Sequence, residues 1–278
     1  MTDQPKKTQK TQKSQQSGRP EQSRTSARER MQEAHRREKK AAAVRRRAVI
    51  AVSVVAALAV VGGTVAAIAT ASDSDPAASA PLKVPANTSG ADGTVVVYGK
   101  ADAPHTVQVY EDFRCPVCKE FEASAGRAVQ QLADSGQYKI EYHLAAFLDQ
   151  NLGGKGSRTA LAAAGAALDQ GVDQFKKFHD VLYANQPDER EDGFGDVNRI
   201  LELAEKVPGL KTEAFTKAVT EGTYRPWAAK VDKAFSASGA QGTPTVVLDG
   251  KVLNVFGKDG KPVSGEQWTA LVRQATGA

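Results

Sequence analysis

The only two cysteines of this chain, Cys115 and Cys118, form one C-x-x-C motif around Pro116 and Val117. Two thiols this close together favour redox chemistry over cross-linking, because a disulfide across two residues closes too small a loop to add much stability. We therefore predict a thiol–disulfide exchange site. Three other interpretations remain open: half of a zinc site, an inert structural disulfide, and a chance spacing on a helix.

A zinc site as a rule needs four ligands, and the sequence contains no second cysteine pair. The four histidines are not paired at the spacing of metal ligands: His35, His105, His143 and His179. We therefore predict no metal and no bound organic cofactor. We expect His179 to be a packed or capping residue rather than a base, because it lies beside Phe175, Phe178 and Leu182, which recur at helical spacing.

The residues around the motif predict a strand followed by a helix. Thr106 to Tyr110 alternates as a strand does, and helical sequence begins at Pro116, a residue tolerated at the first helical position. Cys115 should then lie at a helix N-terminus, where free N–H groups and the helix dipole stabilise a thiolate. Such positions lower a thiol pKa from about 8.5 toward roughly 3.5 to 7.5. We expect Cys118, one turn further along, to be the more buried thiol.

A second motif lies near the other end of the chain, in the sequence Gly242-Thr-Pro-Thr-Val-Val-Leu-Asp-Gly250. Residues 245–248 have the composition of a strand, Asp249-Gly250 that of a hairpin turn, and residues 251–255 that of the returning strand. Pro244 directly precedes the first of these strands, a place where a cis-proline can form a tight turn.

The two motifs together carry a family resemblance. Asp112-Phe-Arg-Cys-Pro-Val-Cys-Lys-Glu-Phe-Glu122, the segment from Gly242 to Gly250, and the helical stretch from Phe175 to Gln186 resemble the DsbA-like branch of the thioredoxin superfamily. The resemblance covers residues 94–278. It implies an α/β thioredoxin-like fold, β-α-β then β-β-α, with an inserted helical domain at about 155–222.

The resemblance also implies roles for four residues. Cys115 is similar to the nucleophile that forms the mixed disulfide, and Cys118 to the thiol that resolves it. Pro244 is similar to the cis-proline that faces the cysteine pair, and the Thr243 backbone could pair with an extended substrate segment. The implied partners are exported proteins with free thiols and a quinone-linked membrane redox partner. Disulfide reduction or isomerisation, peroxide reduction, and a non-enzymatic envelope binding module remain alternatives.

Two departures from the family pattern bear on the chemistry. Val109 stands six residues before Cys115, where thioredoxins often carry a buried acid. Glu111 and Asp112 are candidates to accept the proton of Cys118 instead, unless both are simply solvated.

The second departure is Val117, which replaces the histidine that strongly oxidising members place beside the nucleophile, so we expect a milder oxidant. Arg114 and Lys119 could add positive charge near the thiols, although an exposed position is the commoner role of such residues.

The N-terminal part of the chain predicts a membrane anchor. Residues 48–71 carry no charge and are long enough as a helix to span about 30 Å of hydrocarbon. Residues 1–47 are rich in Lys and Arg and end in Arg45-Arg46-Arg47, so we predict a disordered cytoplasmic tail and a single-pass signal-anchor. Cleavage after Ala71 remains open.

A proline-containing stretch at residues 72–93 predicts a flexible linker. The catalytic domain, residues 94–278, would then lie outside the cytoplasm. The formal net charge of +5 is concentrated in the basic tail, so we predict no nucleic-acid partner.

Overall fold

The structure is a computed structural model that describes residues 81–277. The tail predicted at 1–47, the anchor predicted at 48–71 and residues 72–80 of the predicted linker lie outside the described residues. Between residues 81 and 277, no helix combines the length and the apolar composition that a membrane crossing needs.

A five-stranded mixed sheet forms the centre of the domain. Its strands are β1 (Val96–Tyr98), β2 (Thr106–Asp112), β3 (Lys139–Ala145), β4 (Thr245–Leu248) and β5 (Lys251–Leu253). Their order across the sheet is β1-β3-β2-β4-β5, with β2 and β3 parallel and the other neighbours antiparallel. The central strand is therefore β2, which leads directly to the cysteines.

Helices occupy most of the remaining chain. In chain order they are α1 (Pro116–Phe121), a π-helical turn (Glu122–Gly126), α2 (Arg127–Ser135), α3 (Leu148–Leu152), α4 (Gly156–Gln170), α5 (Val172–Ala184), a 3₁₀ turn (Gly193–Gly195), α6 (Val197–Ala204), α7 (Glu213–Glu221), α8 (Arg225–Ala237) and α9 (Gly265–Thr276). The thioredoxin-like α/β fold is confirmed: β-α-β comes first and β-β-α last. Helices α4 to α7 fall inside the range predicted for the insertion.

The strand and helix types agree with the sequence predictions, with small differences at the ends. The returning strand β5 stops at Leu253 rather than at Val255. The side chain of Asn254 accepts a hydrogen bond from the Phe256 N–H, at 3.2 Å, and this local turn replaces further strand pairing. The short helix α3 and the π-helical turn were not predicted.

Burial along β2 explains how the sheet presents polar groups to the cysteines. Val107 and Val109 are fully buried, and Glu111 continues the same face because alternate strand residues point the same way. From Val109 to Asp112 every residue is buried, so the strand ends inside the molecule rather than at its surface. Of the two interpretations that the sequence left open for Glu111 and Asp112, simple solvation is therefore wrong.

Two tryptophans on different helices are fully buried in the core. Trp268 of α9 meets the rings of Phe121 and Tyr138 edge-on, and its Nε1 donates to the Tyr138 hydroxyl at 3.0 Å. Trp227 of α8 packs against Gly165 of α4, where an added Cβ would lie 2.7 Å from the indole ring. Glycine at 165 thus permits the close approach of α4 and α8.

The end of the predicted linker is attached to the domain. The Ala86 N–H donates to Asp169 Oδ1 at 2.9 Å, and Asn87 Nδ2 donates to the Leu168 carbonyl at 2.8 Å. Trp227 Nε1 donates to the Gly93 carbonyl at 2.7 Å. Residues 86–93 therefore do not match the predicted flexible linker, because specific long-range hydrogen bonds hold them.

Candidate active site

Cys115 is placed at the start of α1 by the turn that follows β2. Its N–H donates to the Asp112 carbonyl at 2.9 Å, its backbone is extended, and Pro116 occupies the first helical position. Cys118 follows one turn later and is fully buried, while Cys115 is 6% exposed. Both cysteines are free thiols in this structure. The helix start and the greater burial of Cys118 agree with the sequence prediction.

The two thiols differ in acidity. A hydrogen bond from the Cys118 thiol lowers the pKa of Cys115 to about 7; burial opposes this shift, and the backbone N–H groups of Val117 and Cys118 add to it. Burial raises the pKa of Cys118 well above its ordinary value, and the interaction with Cys115 raises it further. Near neutral pH, Cys115 is therefore the thiol that ionises.

The Thr243–Pro244 turn faces the cysteines across the site. The Cys115 thiol lies 3.3 Å from the Thr243 carbonyl, to which it donates a hydrogen bond. The Thr243–Pro244 peptide bond is cis, as the family resemblance implied. The fold thus brings together the two sequence motifs, which are 128 residues apart.

This difference in acidity predicts selective alkylation. In the reduced protein, iodoacetamide should modify Cys115 with a rate that reaches half its maximum near pH 7, because only the thiolate reacts. Cys118 should remain unmodified until the protein unfolds. Mass spectrometry of peptides from a pH series measures both rates, and Cys115→Ser provides the control for Cys118 alone. Two thiols that titrate together at an ordinary thiol pKa would contradict the prediction.

Beneath the cysteines lies a buried network of charged side chains. His179 of α5 is fully buried, with Nε2 at 2.9 Å from Glu111 Oε2 and Nδ1 at 3.1 Å from Asp180 Oδ1. Lys176 forms an ion pair with Asp180. Burial opposes a charge on His179, but hydrogen bonds to Asp180 and Glu111 raise its pKa to about 9. The imidazole is packed, as predicted. It also carries a positive charge and pairs with Glu111, a contact that the sequence did not predict.

The same network bears on metal binding. Glu111, Glu122 and His179 each offer one ligand atom, and these atoms lie within 4.8 Å of one another. Both imidazole nitrogens already face carboxylates, and Lys176 places a second positive charge beside Asp180. The geometry is therefore that of a hydrogen-bonded ion-pair network.

Asp112 is fully engaged in structural hydrogen bonds. Its Oδ1 accepts from the Arg114 N–H at 2.9 Å and the Ser157 hydroxyl at 2.6 Å, and its Oδ2 accepts from the Leu148 N–H at 3.1 Å. Burial raises the pKa of Asp112 to about 6, against the lowering effect of these bonds. This carboxyl joins the active-site turn to α3 and α4.

The expectation of an exposed Arg114 is wrong. Its side chain is 3% exposed and donates to Asp149 Oδ1 at 2.8 Å, to the Gly153 carbonyl at 2.8 Å and to the Glu189 carbonyl at 2.6 Å. A guanidinium can be buried here because an anion and two carbonyls accept its protons. Arg114, the residue before Cys115, therefore connects the turn after β2 to the segments that carry Gly153 and Glu189.

Comparison with known proteins agrees with this geometry. The family described as thioredoxin matches residues 91–274. The chain belongs to the thioredoxin family. A Bacillus subtilis protein named disulfide bond formation protein D is 29% identical over 161 residues, which are 58% of this chain and 70% of that protein.

Two solved structures from Mycobacterium tuberculosis are also similar. Reduced DsbG, titled a disulfide bond oxidoreductase, is 27% identical, covers 67% of this chain and 89% of its own, and has a TM-score of 0.56. Oxidised DsbA is 27% identical, covers 66% of this chain and 93% of its own, and has a TM-score of 0.55. The chain is thus a DsbA-like thiol–disulfide oxidoreductase.

Gln186 is a residue of this oxidoreductase that sequence reasoning missed. It is buried at the end of the segment after α5, and its Nε2 donates to the carbonyls of Phe113 and Cys115 at 2.8 and 3.0 Å. Its own carbonyl accepts from Lys119 Nζ at 2.9 Å, which explains why Lys119 is half-buried rather than exposed. No sequence signal links Gln186 to the active-site turn, because 71 residues separate it from Cys115.

Proposed function

We propose that this thioredoxin-family oxidoreductase forms disulfides in exported proteins by exchange at Cys115 and Cys118. The observation that carries the proposal is the asymmetry of the pair. Cys115, at a helix start, has a pKa of about 7, while Cys118 is fully buried with a raised pKa. Such a pair makes Cys115 the sulfur that clients attack and the better leaving group, because a thiol of lower pKa leaves faster.

The proposed reaction has two exchange steps. In the first, a client thiolate attacks Cys115 Sγ, the bond between the two enzyme sulfurs breaks, and Cys118 takes the electron pair and a proton. In the second, another client thiolate attacks the client sulfur of the mixed disulfide and releases Cys115 as a thiolate. The client loses two electrons, and the enzyme gains them as its dithiol.

We assign client binding to Thr243 and Pro244. The Thr243 carbonyl already lies at hydrogen-bond distance from Cys115, so a client segment that reaches this sulfur must pass the turn. An extended client could pair with the backbone there, which would give affinity without sequence selectivity. Val117, 37% exposed beside the pair, adds an apolar contact.

We further propose that residues 48–71 anchor the enzyme, with the catalytic domain outside the cytoplasm and a quinone-linked membrane partner restoring the disulfide. The support is the charge-free apolar segment that follows a basic tail, together with the likeness to the Bacillus subtilis protein named disulfide bond formation protein D.

A trapping experiment tests the proposed exchange. Cys118→Ala, with Cys115 first activated as its mixed disulfide with nitrothiobenzoate, should accumulate a mixed disulfide with a stoichiometric one-thiol client peptide, because neither Cys118 nor a second client thiol remains to attack it. Non-reducing gels and mass spectrometry measure the adduct, and Cys115→Ala should form none. A protein that only binds partners, with Cys115 inaccessible to client thiols, would form no adduct in either variant. Equilibration of the wild-type pair with glutathione buffers then separates an oxidase from a reductase.

A further inference from the structure

The segment between α5 and the 3₁₀ turn binds the residues that lead into α1. Gln186 Nε2 donates to the carbonyls of Phe113 and Cys115, at 2.8 and 3.0 Å. The Glu189 carbonyl accepts from the Arg114 guanidinium at 2.6 Å. One short segment therefore contacts three consecutive residues, the last of which is the nucleophile. Because Gln186 is almost fully buried, bulk water does not replace its amide.

These contacts matter because α1 is short. The helix has six residues, and no side chain caps its N-terminus. A helix of this length is not stable by itself, so the contacts at its ends fix its direction. The local tie at its start is the hydrogen bond from the Cys115 N–H to the Asp112 carbonyl, at 2.9 Å. Gln186 adds a tertiary tie at the same point, through the carbonyl of Cys115.

The direction of α1 affects how well the Cys115 thiolate is stabilised. The Cys118 thiol makes the largest contribution to the lowered pKa of Cys115, and the backbone N–H groups of Cys118 and Val117 add to it. All three donors belong to the first turn of α1. A hydrogen bond weakens steeply as its angle departs from linear. A small rotation of α1 about its start would therefore weaken all three interactions at once.

Replacement of the Gln186 side chain leaves the charges around the thiols in place. Lys119 Nζ donates to the backbone carbonyl of residue 186, which every substitution keeps. The titratable and charged groups that act on the thiols or bind the active-site turn come from β2, the turn itself, α1, α3 and the segment before the 3₁₀ turn: Glu111, Asp112, Arg114, Cys118, Lys119, Asp149 and Asp192. A change in the acidity of Cys115 would therefore report the position of α1 rather than the loss of a charge.

We propose that Gln186 is a positioning residue for the nucleophile: its amide fixes the start of α1 so that the donors of the first turn point at Cys115 Sγ. This inference rests on the proposed exchange at the cysteine pair. In that exchange Cys115 leaves the client sulfur as a thiolate, so donors that stabilise the thiolate also speed its release. The segment after α5 thereby influences the thiol chemistry, although it carries no reacting atom.

Gln186→Met tests the proposal, because methionine has nearly the shape of glutamine but donates no hydrogen bond. We expect the pKa of Cys115 to rise by about 1 unit, from about 7 toward the ordinary thiol value of about 8.5. Alkylation of Cys115 by iodoacetamide should then slow about tenfold at pH 6, where little thiolate is present. Near pH 9.5, where Cys115 is ionised in both proteins, the two rates should agree within about twofold.

The pH profile separates positioning from a general loss of stability. Gln170→Met is the matched control, because Gln170 Nε2 also donates to two acceptors, the Leu210 carbonyl and Thr212 Oγ1, both at 3.1 Å. Gln170 is the last residue of α4, and its replacement should leave the pKa of Cys115 unchanged. An unchanged pKa in Gln186→Met, or an equal rise in Gln170→Met, overturns the proposal.

Gln186→Asn decides the matter if Gln186→Met does not fold. Asparagine keeps the amide but is one methylene shorter, so it cannot retain both hydrogen bonds. We expect the pKa of Cys115 to rise by about 0.5 unit in this variant. If a folded Gln186→Asn protein has the wild-type pKa, the proposal is wrong.

A second readout is the redox equilibrium of the cysteine pair. A less stabilised thiolate makes the dithiol form less stable, so at pH 8 Gln186→Met should shift about fivefold toward the disulfide in glutathione buffers. A wild-type pair that does not exchange with glutathione at all would overturn the proposed function. The alkylation profile needs no exchange, so it still decides the role of Gln186.

Discussion

Replacement of Arg114 with alanine should lower the free energy of unfolding by about 3–5 kcal/mol, the usual cost of removing one partner from a buried ion pair. The side chain is 3% exposed and Asp149 is fully buried, so no solvent can replace the lost cation. The carbonyls of Gly153 and Glu189 would also lose their donor. The loops that flank the active-site turn should loosen together.

Urea unfolding at pH 7 measures the change. Arg199→Ala is the matched control, because Arg199 pairs with Glu202 on the exposed surface of α6 and should contribute less than about 1 kcal/mol. Arg114→Lys should fall between the two, since lysine keeps the charge but lacks the planar fork that reaches three acceptors. Equal stability losses in Arg114→Ala and Arg199→Ala would show that the buried pair is not formed in solution.

Replacement of Trp227 with alanine should cost about 3–5 kcal/mol, because a fully buried indole leaves a cavity that α4 and α8 cannot fill. The change also removes the hydrogen bond from Nε1 to the Gly93 carbonyl, at 2.7 Å. We therefore expect the segment before β1 to detach from the domain. Hydrogen exchange of residues 86–93 should accelerate in the variant.

Trp227→Phe removes the donor of the hydrogen bond to the Gly93 carbonyl but keeps most of the packing. It should cost less than Trp227→Ala, with about 1 kcal/mol of the loss due to the missing donor. Thermal unfolding and amide exchange of both variants give the comparison. Unchanged exchange in residues 86–93 of Trp227→Ala would mean that other contacts, such as that of Asn87 with Leu168, hold this segment.

Local sequence patterns predicted most elements of the fold. The alternation in β2, the proline that begins α1 and the Asp249-Gly250 turn each depend on residues within one element or its neighbour. No local pattern predicts that Cys115 contacts Thr243; that expectation came from the family resemblance. The π-helical turn was not predicted, because no residue pattern distinguishes Glu122–Gly126 from the α-helices on either side of it.

The burial and pairing of charged residues could not be predicted from the sequence. From the sequence, Arg114 was expected on an exposed face, as isolated charges usually are, and Glu111 was left open between a proton acceptor for Cys118 and a solvated carboxylate. Their burial depends on Asp149 and His179, which stand 35 and 68 residues away along the chain. No periodicity relates such distant positions.

The sequence by itself determined where the reactive thiols lie and which elements carry them, because spacing and hydrophobic period act over a few residues. Only the tertiary structure decided which charges are buried and paired. The free energy of a buried charge depends on partners brought from other elements. The pairing of His179 of α5 with Glu111 of β2 is such a case, because it forms only when these two distant elements pack together.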